Sequence, residues 1–201
     1  MINKVKILRF LYKFKAVFYR LKGIKIGKNT FISGFPWFCK RNGGNIIIGN
    51  GVTLHSKKKY NTLITNPISI STITPEATVE LHDNCGLSGC KIVCANKISI
   101  GEYTIIGPDT VIYDCKQHEY NERIGWFSCK KVTGSPITIG KKCYIGMRCI
   151  ILKGVTIGDG CVISAGTIIT KDVPAGHLAQ GNPAVYTPLS EKNGGPKKII
   201  I

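Results

Sequence analysis

From Ile139 onward an isoleucine stands at every sixth position: Ile139, Ile145, Ile151, Ile157, Ile163 and Ile169. A helix needs an apolar stripe at a period of 3.6 and a half-buried strand needs alternation, so a strict period of six fits neither. It fits short strands joined by repeated turns, the arrangement of a solenoid. Glycine follows three of the six, in Ile139-Gly140, Ile145-Gly146 and Ile157-Gly158, as expected where the backbone turns tightly. In a hexapeptide β-helix three repeats make one triangular coil of about eighteen residues. Ile139 is therefore expected to stack on Ile157, Ile145 on Ile163 and Ile151 on Ile169.

Earlier segments carry the same pattern in other registers: Ile26-Gly27, Ile48-Gly49, Leu81 with Leu87, Ile100-Gly101, Ile106-Gly107 and Ile112. The breaks between them imply loops or irregular coils. Four residues after a repeat position stand Cys85, Cys143, Cys149 and Cys161, and equivalent places hold Thr30, Val52, Thr104, Thr110, Val155 and Thr167. The slot reads as one for any small, fairly apolar side chain, and buried free cysteine behaves as one. Nine cysteines are an odd number, and no signal-peptide pattern precedes them, so a reducing cytoplasm is the expected compartment.

A chain of 201 residues suits one principal domain, assigned to residues 23–190. Residues 1–22 read as a basic amphipathic helix, with Leu8, Leu11, Val17 and Leu21 among its apolar positions. Lysines and arginines interrupt it too often for a membrane span. It can cap the first coil, or its basic residues with Phe10, Phe14 and Phe18 can hold the chain peripherally on the cytoplasmic face of an anionic membrane. Residues 191–201 contain no repeat and read as a tail. The formal charge of +17 favours an anionic partner, such as nucleic acid, a phosphorylated cofactor or an acidic membrane surface, without choosing among them.

Ile112 and Ile139 are 27 positions apart, not a multiple of six, so the chain must leave the coil between them. The projecting loop, about residues 115–135 with Asp114 just before it, carries His118, Glu119, Tyr120, Trp126 and Phe127. A long loop on a regular solenoid is a place for function, and His118 is its acid-base candidate. Cys115 is an alternative, as a thiol nucleophile.

The chain resembles the hexapeptide-repeat acetyltransferases, the group of maltose, galactoside, xenobiotic and capsular or exopolysaccharide sugar acetyltransferases. The matching residues are Tyr144-Ile145-Gly146, Gly154-Val155-Thr156-Ile157-Gly158, Ala165-Gly166-Thr167, Thr170-Lys171-Asp172-Val173-Pro174 and Gly181-Asn182-Pro183-Ala184. The resemblance runs from about Ile98 to Val185. Departures are Tyr144 in place of a usual tryptophan, Lys116 where some members carry a second acid, and Val185 where arginine often follows.

The resemblance implies an all-β, left-handed parallel β-helix that acts as a homotrimer. It implies transfer of acetyl from acetyl-CoA to a sugar hydroxyl, with no metal. His118 would be the general base, accepting the hydroxyl proton while that oxygen attacks the thioester carbon. Asp114 is the family's loop aspartate, and Glu119 or a backbone carbonyl could fix the imidazole tautomer. The pantetheine arm would touch Gly146, Met147, Ser164 and Ala165, with Thr170 and Lys171 near the nucleotide end.

Competing readings are a β-helical carbonic anhydrase, disfavoured by four scattered histidines, and a non-catalytic scaffold, which leaves the His118 loop unexplained. An amino sugar could replace the hydroxyl acceptor, since fold analogy does not settle it. The basic N-terminal segment points to a polysaccharide precursor carried on a membrane lipid, as in capsule or O-antigen assembly. No nucleic-acid partner is expected.

Overall fold

The computed structural model describes residues 14–189, so the first thirteen residues of the expected helix and the expected tail lie outside the described residues. Residues 14–21 form a helix, α1, and the strands that follow run from Lys25 to Pro188. They wind into a triangular prism with three parallel walls, the left-handed parallel β-helix.

The first wall is β1 (Lys25–Ile26), β4 (Asn45–Ile48), β7 (Thr78–Leu81), β10 (Lys97–Ile100), β15 (Ile137–Ile139) and β18 (Thr156–Ile157). The second is β2 (Phe31–Ser33), β5 (Thr53–His55), β8 (Gly86–Ser88), β11 (Ile105–Ile106), β16 (Tyr144–Ile145) and β19 (Val162–Ile163), closed by β21 (His177–Gln180) and the antiparallel β22 (Val185–Pro188). The third is β3 (Trp37–Lys40), β6 (Ser69–Thr72), β9 (Lys91–Cys94), β12 (Val111–Tyr113), β17 (Ile150–Leu152) and β20 (Ile168–Ile169). The chain visits the walls in rotation, one strand of each per coil.

Register follows the period of six. Ile139 pairs with Ile157, Ile145 with Ile163 and Ile151 with Ile169, and all six are at most 1% exposed. Each buried isoleucine contributes about 1.5–3 kcal/mol, so the stack supplies the main driving force. The corner glycines are required by stacking: a Cβ on Gly101 would lie 2.6 Å from the Gly140 carbonyl carbon of the next coil.

The slot four residues after each repeat position is buried, as expected, but it does more than fill space. The Thr104 hydroxyl donates to Gly140 O at 2.7 Å and that of Thr110 to Gly146 O at 2.8 Å. The Cys85, Cys143 and Cys161 thiols point at Gly101 O, Gly158 O and Pro174 O at 3.0–3.1 Å. The slot thus selects a small donor that satisfies a corner carbonyl of the next coil. Val52 and Val155 occupy it without one.

Two excursions break the prism. One is the segment between β5 and β6. The other is a hairpin of β13 (Cys115–Asn121) and β14 (Gly125–Gly134) between β12 and β15, which is antiparallel structure with one register shift where the sequence suggested a loop.

Candidate active site

Each excursion leaves from a different edge. The segment 56–68 follows the second wall, so it lies on the edge shared by the second and third walls. The hairpin follows the third wall and leads to the first, so it lies on the edge between those two.

The root of the hairpin is fixed by Asp114. Its side chain is wholly buried, and its carboxylate accepts the Ala95 amide at 2.6 Å, the Asn96 amide at 2.9 Å and the Cys94 thiol at 3.2 Å. The Asn96 side-chain amide donates to Gly134 O at 3.1 Å and the Ser135 amide to Asp114 O at 2.8 Å, which ties both hairpin strands to the preceding coil. Asp114 is therefore part of the coil wall, with its carboxylate committed to two backbone amides and the Cys94 thiol.

His118 stands in β13 opposite Ser128, one residue past a register shift between Lys116 and His118. The ring is exposed, and among the described residues nothing hydrogen-bonds it. Glu119, its strand neighbour, projects from the other face of the ribbon, where its carboxylate lies 4.0 Å from Lys116 Nζ. Among the described residues Glu119 makes no hydrogen bond to the imidazole. The hairpin ends in exposed Tyr120, Ile124 and Trp126, with Tyr120 and Trp126 in edge contact.

On the other edge lies a cleft of about 300 Å³ whose lining includes Asn61, Leu63, Ser88, Pro108, Met147 and Ala165. Gly146 also lines it, but a Cβ there would lie 2.6 Å from the Ala165 amide nitrogen, so this glycine is demanded by the neighbouring coil before any ligand. The Gly146 amide is donated to Ile163 O and that of Ser164 to Ala179 O. The amides of Met147 and Ala165 have no acceptor among the described residues, so two backbone donors are available at the cleft.

The segment 56–68 is the far wall of this cleft, and sequence reasoning passed over it. It is pinned by buried Ile64 and by the Thr65 hydroxyl donating to Asp109 Oδ1 at 2.5 Å. The only sequence signal was the register break between Ile48 and Leu81.

Thr170 and Lys171 are exposed on the edge that bears the hairpin, not on the cleft edge. Lys171 makes no ion pair among the described residues, and its carbonyl accepts the Tyr186 hydroxyl at 3.2 Å. A single chain therefore gathers Gly146, Met147 and Ala165 beside Ser164, and holds His118, Thr170 and Lys171 elsewhere. Among the described residues no cluster of histidine, cysteine or acidic side chains could hold a metal ion.

Residues 136–171 match the family model described as the hexapeptide repeat of succinyl-transferase. Nodulation protein L of Rhizobium meliloti is 45% identical over 95 residues, 47% of this chain and 50% of that protein. The "Putative colanic acid biosynthesis acetyltransferase WcaF" of Escherichia coli is 25% identical over 180 residues, 87% of this chain and 74% of that one. The chain matches only about half the length of the first of these relatives. Among solved structures, a hexapeptide-repeat acetyltransferase of Vibrio cholerae complexed with acetyl coenzyme A shares the fold at TM-score 0.54 and 22% identity, covering 86% of this chain and 75% of that one. AntD, an N-acyltransferase of Bacillus cereus, does so at TM-score 0.62 and 17% identity, covering 85% and 87%. In sequence and in fold, the chain is a hexapeptide-repeat, left-handed parallel β-helix protein akin to the hexapeptide-repeat acetyltransferases.

Proposed function

We propose that this protein is an acetyl-CoA-dependent O-acetyltransferase that modifies a sugar hydroxyl in surface polysaccharide synthesis. The observation that carries this reading is the cleft on the edge between the second and third walls, lined by Met147 and Ala165, whose amides have no acceptor among the described residues, beside the coil corner that matches the family motif. The residues fit the co-substrate: a narrow groove with two unengaged amides suits an amide-bearing pantetheine arm, and the free ammonium of Lys171 suits phosphate. When bound, acetyl-CoA supplies the activated acetyl group.

His118 is the group to take the proton from the acceptor hydroxyl. Its hairpin belongs to the opposite edge from the cleft, and seven extended residues from Cys115 to Asn121 reach about 23 Å. Such an arm suits a closed ring in which the edge of one copy carrying His118 and Lys171 meets the edge of the next carrying Met147 and Ala165. A homotrimer completes three such sites, with the exposed Tyr120, Ile124 and Trp126 as the arm's contacts.

The test is transfer of acetyl to a panel of sugars and amino sugars, read by product mass, alongside light scattering. Wild type should be a trimer and form an O-acetyl ester. His118→Ala should stay trimeric, bind acetyl-CoA and lose about 100- to 10,000-fold in rate. Full activity in that variant, a competent monomer, or an exclusively N-acetylated product would each overturn the corresponding part of the reading.

A further inference from the structure

We propose that the N-terminal end of the prism is a docking face for an anionic lipid bilayer, on which the solenoid stands end-on. Ten lysines and arginines lie between residues 14 and 75 and no acidic residue does, so the described segment that forms this end is strongly basic. Charge of one sign over such a region attracts an anionic surface within a Debye length.

The same end exposes large apolar side chains. Phe14, Phe18 and Leu21 of α1 are 65%, 41% and 83% exposed, and Phe35 and Trp37 of the first coil are each 67% exposed. Packing of α1 on the segment 32–38 brings the two groups to the same end of the prism. Lys15 Nζ hydrogen-bonds Gly34 O at 2.9 Å and lies 4.8 Å from the centre of the Phe35 ring, and the Tyr19 hydroxyl donates to Pro36 O at 2.8 Å. Lys22 Nζ lies 4.5 Å from the centre of the Phe18 ring, an aromatic body with a cationic tip beside it. A bilayer interface offers both what the rings and Leu21 need and what the lysines need. A polyanion such as nucleic acid answers the charge and leaves Phe14 and Leu21 in water. Among the described residues no helix is long and apolar enough to cross a membrane.

The orientation has a consequence for the acceptor, and this step rests on the acetyltransferase reading. Asn61 and Leu63 close the cleft from a segment that leaves the second coil. The rest of the lining starts at Ser88 in the third coil. At nearly 5 Å of rise per coil, with a helix about 10 Å across capping the first, that end of the cleft stands about 20 Å from the docking face. A saccharide on a lipid diphosphate spans such a gap, so the acceptor class is a lipid-linked sugar.

The experiment is co-sedimentation of the full chain with phosphatidylcholine vesicles, with and without phosphatidylglycerol. In a Trp126→Phe background, Trp37 emission reports insertion. Binding should require the anionic lipid, shift Trp37 emission to the blue, and fall as salt shortens the Debye length from about 30 Å at 0.01 M to about 8 Å at 0.15 M. Phe35→Ser with Trp37→Ser should weaken it at least about tenfold, and Lys22→Gln with Lys25→Gln about fivefold per charge. These positions are exposed, so unchanged thermal melting is the check on folding. No binding at low salt, equal binding to neutral vesicles, or substitutions that abolish self-association or DNA binding but leave vesicle binding intact would overturn the proposal. Vesicle binding without acetyl transfer would remove the enzyme reading alone, and transfer to a soluble sugar without vesicle binding would remove the docking face alone.

Discussion

Asp114→Ala should destabilise the protein by about 2–3 kcal/mol. The carboxylate is wholly buried and accepts two backbone amides, at 2.6 Å from Ala95 and 2.9 Å from Asn96. A buried donor stripped of its partner costs about 1–3 kcal/mol, and bonds to a charged acceptor lie toward the upper end. Ala95 is buried and pays this in full, whereas exposed Asn96 can recover water for its amide. Asp114→Asn keeps one acceptor oxygen and turns an NH₂ toward the other amide, so about half the loss is expected. Urea unfolding gives these values from midpoint shifts at constant slope. Since Asp114 acts by anchoring the hairpin, catalysis should fall in both variants in step with loosening of the hairpin, while acetyl-CoA affinity holds. A loss under about 0.5 kcal/mol in Asp114→Ala would refute the anchoring argument. An Asp114→Asn protein of wild-type stability with no activity would show that the charge itself acts on His118.

Gly146→Ala places a methyl 2.6 Å from the Ala165 amide nitrogen, so the two coils must part; an expected cost of about 1–3 kcal/mol by urea unfolding should accompany weaker acetyl-CoA binding in calorimetry, and unchanged affinity would remove the cleft from the cofactor site. The buried thiols should resist a thiol reagent in the folded protein, because burial raises them, Cys85 and Cys90 to about 12. Their protons are held in the folded state and released in the unfolded one above the ordinary value of 9.0, so stability is full below about pH 9 and declines as pH rises toward 12. Unfolding midpoints across that window check the sign, and Cys85→Thr, which keeps a donor for Gly101 O, should blunt the decline.

The core was legible because its cause is local and periodic: each Ile of the series points inward at the same place on a wall, and the spacing survives without knowledge of any other residue. The slot behind it was legible only as small. Its hydrogen bond from Thr104 to Gly140 O joins positions 36 apart, and no local pattern announces that a corner carbonyl waits there. Asp114 was read with the loop because it is four residues from His118, yet a bulged ribbon separates them and the carboxylate turns into the wall. The hairpin was visible as a length that is not a multiple of six, while its strand pairing was hidden by Lys116 and Lys131, which resemble the filler of any exposed loop. Asn61 and Leu63 were missed for the same reason, in a segment whose place depends on which edge the second coil happens to open.

That dependence on edges explains how the candidate site is divided. A triangular prism turns each repeat into an address on one of three edges, so residues close in sequence can be a whole wall apart. Met147 and Lys171 are 24 residues apart, one coil and one further hexapeptide, which carries Lys171 to the next edge round. The hairpin at 115–134 departs from that same edge two coils earlier. The third wall lies between the two edges, and its outward face carries Val93, Tyr113 and Leu152 in register. No bend of a close-packed prism can bring the edges together, because glycine corners at Gly101 and Gly146 leave no space between coils to yield. In one chain the imidazole and the cleft stand a wall apart, and a second copy presenting one edge to the other brings them together, so in the proposed enzyme assembly is part of the chemistry and not an addition to it.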